Sequence, residues 1–84
     1  MLTDRIEQAQ ILEQKGDIVG ALELWRAIYT EDNACEDSIL GIAQAALLLD
    51  ESDLAFEFFV KLLILNHDNP WGYLGRANIM FRYN

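Results

Sequence analysis

Residues 16–25 read GDIVGALELW. Gly16 tolerates the left-handed backbone that ends a helix, and Asp17 offers a carboxylate that can cap the next one. Apolar Ile18, Ala21, Leu22 and Trp25 then recur at helical spacing. The stretch is a turn followed by the second arm of a helical hairpin. Whether it occurs once or again at a fixed distance decides the fold, because a second copy makes the chain a stacked array whose function lies on a surface.

A shift of 34 residues places Ala21 on Ala55, Leu22 on Phe56 and Trp25 on Phe59. The same register carries Ala9 onto Ala43 and Ala77, and aligns Gln10, Gln44 and Asn78. Each unit shows the helix period twice, with a breaker between, which makes it an antiparallel helix pair. The pattern predicts helices over about 3–14, 18–30, 36–49, 52–66 and 70–83. In the second unit the internal break is Asp50-Glu51-Ser52-Asp53, which supplies capping side chains and no glycine, with Asp a tolerable substitute. Asn69 before Pro70 marks the start of the last helix, where a missing N–H costs nothing.

These residues resemble the tetratricopeptide repeat family. The resemblance is carried by small Ala9, Ala43 and Ala77, by Gly16-Asp17, by Ala21 and Ala55, and by aromatic Trp25 and Phe59. It spans one domain, 1–84, as repeat 1 (2–35), repeat 2 (36–69) and a further helix (70–83). The implied fold is all-α, a right-handed superhelix of antiparallel helix pairs with about five helices. The family's large aromatic early in the first helix is present only as Tyr73, with Arg5 and Ile39 at the equivalent places. Asn33 and His67 replace the proline that often closes a repeat.

The resemblance also implies a concave groove formed by the first helix of each pair. By register its lining is Ile6 and Gln10, then Leu40, Gly41, Gln44 and Leu48, then Trp71, Leu74, Gly75, Asn78 and Arg82. Carboxamides donate and accept, so a row of them can bond an extended peptide backbone while Leu40, Leu74 and Trp71 bury apolar side chains beside it. The family's basic clamp for acidic C-termini has no counterpart, since the places it needs hold Ile6, Gln10, Gly41, Trp71 and Gly75. An apolar, neutral or basic segment is the expected partner.

Composition narrows the alternatives. Fourteen acidic and six basic side chains give a net charge of −8, which repels a nucleic-acid backbone. The charge is uneven: residues 1–65 hold 13 acidic and 4 basic groups, a net of −9, and residues 66–84 carry a net of +1. The single Cys35 cannot form an internal disulfide, and no leader or membrane-length apolar run is evident, so a soluble cytoplasmic protein is expected. A domain of this size buries its apolar groups sparingly and gains from extra contacts. Trp71, Tyr73, Met80, Phe81 and Tyr83 occupy more than one face of the last helix, so the competing expectation is a scaffold that forms a homodimer through them.

Catalysis is not expected. His67 and Cys35 alone cannot complete a four-ligand zinc site, so no metal or cofactor is anticipated. The acidic runs Glu31, Asp32, Glu36, Asp37 and Asp50, Glu51, Asp53 lack the glycine and alternating ligands of a calcium loop. They read instead as residues preceding or opening helices, where a carboxylate meets the positive end of the helix dipole. No phosphate loop or nucleophile elbow is present.

Overall fold

The computed structural model describes residues 2–75 and is all-α. Helix α1 spans Leu2–Gln14, α2 Ile18–Glu31, α3 Glu36–Leu48 and α4 Ser52–Leu65, and a further helix, α5, opens at 70 and runs through 75. The main contacts join each helix to the next, α1 to α2, α2 to α3 and α3 to α4. No helix among the described residues is long and apolar enough to cross a membrane.

The 34-residue spacing reappears in the backbone. Gly16 stands at φ +86° and its register equivalent Asp50 at +62°, each reversing the chain after the first helix of its unit. The Asp17 amide donates to the Leu12 carbonyl at 2.9 Å, and 34 residues on the Glu51 amide donates to Ala46 at 2.8 Å. Both are Schellman closures that satisfy carbonyls left open by the ending helix. The Asp17 side chain accepts from the Gly20 amide at 3.0 Å and so caps α2. Glu51, at the N-cap of α4, makes no such side-chain bond, contrary to the capping role expected of that segment.

The links between units repeat as well. Asp32 (φ −142°, ψ 96°) and Asn66 (φ −147°, ψ 91°) leave their helices in nearly the same conformation. The Asp32 side chain accepts from the Ala34 amide at 3.0 Å, and that of Asn66 from the Asp68 amide at 3.2 Å. An Asx turn therefore closes each link where a proline was absent. Asn69 then caps α5 by accepting from the Trp71 amide at 2.9 Å.

Register equivalents also form the core. Ala9 with Ala43, Ala21 with Ala55, Trp25 with Phe59, and Ile28 with Leu62 are all buried. Leu22 and Phe56 part company, since Leu22 is buried and Phe56 exposed. Gly41 and Gly75 are both buried: a Cβ on Gly41 would fall inside the Trp25 indole, and one on Gly75 inside the Phe59 ring. Each unit's aromatic side chain thus packs on a glycine of the next unit's first helix. The Trp25 Nε1–H donates to Glu13 Oε1 at 2.6 Å, which satisfies the one polar atom this packing buries. Glu31 closes α2 rather than preceding or opening a helix, and is bound by Arg5.

Candidate functional site

Gly72 and Gly75 turn toward α4, where a side chain on either would meet Leu63 or Phe59. At helical spacing this places Trp71 and Leu74 together on the adjacent stripe. They face α3 across a cavity of about 180 Å³ lined by Gln44, Leu47, Phe59, Trp71, Leu74 and Gly75. An apolar cavity of about 150 Å³ is enough to hold a benzene ring, so this one matches a single apolar side chain. Among the described residues its lining contains no charged group; the Gln44 carboxamide there both donates and accepts, and the Trp71 indole N–H only donates.

Of the expected groove residues, Gln44, Trp71, Leu74 and Gly75 come together here, and Gly41 does not join them. Ile6 and Leu40 are partly buried against the core, whereas Gln10 and Leu48 are exposed, Leu48 at 70%; none of the four lines the cavity. Asn78 and Arg82 lie outside the described residues, as do Met80, Phe81 and Tyr83 of the expected self-association surface. Trp71 (52%), Tyr73 (49%) and Leu74 (55%) from that end are half exposed. Leu47 and Phe59 were not anticipated as walls. Leu47 stands three residues after Gln44, which is the helical signal that could have found it.

Of the expected row of amides, Gln44 lines this cavity, Gln10 does not, and Asn78 lies outside the described residues. Trp71 follows Gln44 by 27 residues and Leu74 follows Leu47 by 27, although the repeat length is 34. Among the described residues, Gln44 therefore stands beside aromatic and aliphatic neighbours.

The described ionisable groups lie elsewhere. Arg5 donates to Glu31 across the outer end of the first unit, and this hydrogen bond, reinforced by the opposite charge, holds the Glu31 carboxyl below its ordinary range and raises Arg5. A second hollow, of about 420 Å³, is lined by Arg26, Asp50, Glu51, Ser52, Asp53 and Leu54, so among the described residues it holds one cation and three carboxylates. Cys35 is half-buried at the start of α3, and exposed His67 lies 3.6 Å from Asp68. The sequence matches no model of a known protein family, and no curated protein matches it.

Proposed function

We propose that this chain is a tetratricopeptide-like, non-catalytic interaction module that holds an extended partner segment on the face formed by α3 and α5. The main support is the cavity beside Gln44, Trp71 and Leu74, which joins an apolar hole to one hydrogen-bonding amide. Such a pair of features takes one buried side chain and fixes the neighbouring peptide group. The absence of charge among the described lining residues and the net charge of −8 favour an apolar, neutral or basic segment over an acidic tail or a nucleic acid. The repeated Schellman closures, Asx turns and aromatic-on-glycine contacts support the tetratricopeptide-like reading.

The test is selection of peptides from a random display library on the intact chain, followed by titration of the winning peptide. Leu74→Asp and Trp71→Ala are expected to weaken it at least tenfold with helix content unchanged, because both side chains are half exposed. Unaltered affinity in both variants would refute the assignment. A second reading, assembly of a homodimer through α5, is favoured by the exposure of Trp71, Tyr73 and Leu74 in one six-residue stretch, 70–75. Light scattering over a range of concentrations tests it directly, with Tyr73→Asp expected to yield monomer.

A further inference from the structure

The two units differ sharply at their outer ends. In the first, Arg5 of α1 binds Glu31 of α2, with Thr30 beside it donating to the Arg26 carbonyl. Thirty-four residues on, the equivalents of Arg5, Thr30 and Glu31 are Ile39, Ile64 and Leu65. An ion pair has been exchanged for apolar side chains, and Ile64 stands 80% exposed. Ala27 has Lys61 as its equivalent, so a cation enters where the first unit has a methyl group.

These exchanges open a cleft of about 400 Å³ lined by Tyr29, Asn33, Ile39, Lys61, Ile64 and Leu65. Two of its lining residues contact buried Phe58: the Tyr29 and Phe58 rings meet edge to face at 5.1 Å, and Lys61 Nζ lies 5.7 Å from the Phe58 centroid. Lys61 makes no ion pair among the described residues. The cleft presents an ammonium, a phenol and a carboxamide as donors, yet no carboxylate lines it in a chain that carries 14 acidic residues. The hollow beside Arg26 shows the opposite composition, one cation sharing its described lining with Asp50, Glu51 and Asp53.

We infer that this cleft is a second docking surface, for a protein segment that pairs an apolar side chain with a neighbouring carboxylate. The apolar group packs on Ile39, Ile64 and Leu65, and the carboxylate accepts from Lys61 with Asn33 within the same lining. The charge requirement is the reverse of that proposed for the α3–α5 face, so one module accepts segments of opposite character on two surfaces. Neither surface depends on the other.

The probe is a fluorescein-labelled hexapeptide, Gly-Asp-Leu-Phe-Glu-Gly, with Gly-Lys-Leu-Phe-Lys-Gly as its counterpart, titrated by anisotropy on the intact chain at low salt, the two peptides being compared in the Leu74→Asp background, where the α3–α5 face proposed for basic segments is disabled. Saturable binding of the acidic peptide, about tenfold tighter than the basic one and weakened by added salt, is expected. Lys61→Met retains the stem on Phe58 and removes the charge; Leu65→Glu installs the first unit's carboxylate beside Lys61. Each should weaken the acidic peptide about tenfold with helicity retained, whereas Leu74→Asp should leave it unchanged. Equal binding of the two peptides, no saturable binding of the acidic one, or indifference to both cleft variants would overturn the inference.

Discussion

Gly41 and Gly75 carry aromatic rings of the preceding unit on their bare backbones, which makes them the residues most sensitive to a single added carbon. Gly41→Ala forces the Trp25 indole or α3 to move, and overpacking of this kind costs about 1–3 kcal/mol. Chemical denaturation should report that loss, and the penalty should shrink in a Trp25→Leu background, where the colliding ring is gone. Gly16 is constrained for another reason: a Cβ there meets nothing within 4 Å, but φ is +86°. Gly16→Ala should therefore cost about 1–2 kcal/mol through backbone conformation alone, measured as a lower denaturation midpoint with no change in slope. The spacing of Gly16 and Asp50 was legible in the sequence because turns demand a narrow set of residues. The roles of Gly41 and Gly75 were not, since a glycine inside a helix carries no sign of which neighbour's ring will cover it.

Among the helices, α1 is attached through its packing on α2 and through Arg5 to Glu31. The folded-state pKa of Glu31 is depressed, so the bond stabilises above the carboxyl's unfolded value, about 4.3, and its contribution is lost as pH falls through the lower folded value. Glu31→Gln should accordingly lower the Tm of the intact chain near neutral pH by a small amount, as expected of an exposed pair, and the difference from wild type should vanish in acid. Thermal melts at pH 7 and pH 3 provide the comparison. Loss of the same increment at both pH values would show that the charge pair is irrelevant. Element boundaries were readable to within a residue or two for α1 to α4, because breakers and caps flank each amphipathic run. The links were less so: Asp32 and Asn66 are ordinary surface residue types, and their shared Asx turns emerge only once backbone directions are fixed.

For the molecule as a whole, sequence-local contacts dominate, with each helix resting on its successor. Such topologies fold quickly, and refolding on the millisecond timescale or faster is expected in stopped-flow fluorescence. The same architecture explains why the candidate site was only partly legible. Repetition identifies equivalent residues, and Gln44, Trp71 and Leu74 were found that way; the packing of the helices decides which of them meet, and no periodicity encodes it. Apolar and charged exchanges between units, such as Arg5 and Glu31 against Ile39 and Leu65, became informative only when the cleft they create was visible.

If the face between α3 and α5 receives the partner segment, a peptide selected from a library must be felt there first. Amide chemical-shift mapping by NMR across a titration of that peptide is the decisive measurement. Saturable perturbations concentrated at Gln44, Leu47, Trp71 and Leu74 are expected. Perturbations confined to other surfaces, with these four unmoved at saturation, would contradict the proposed binding face.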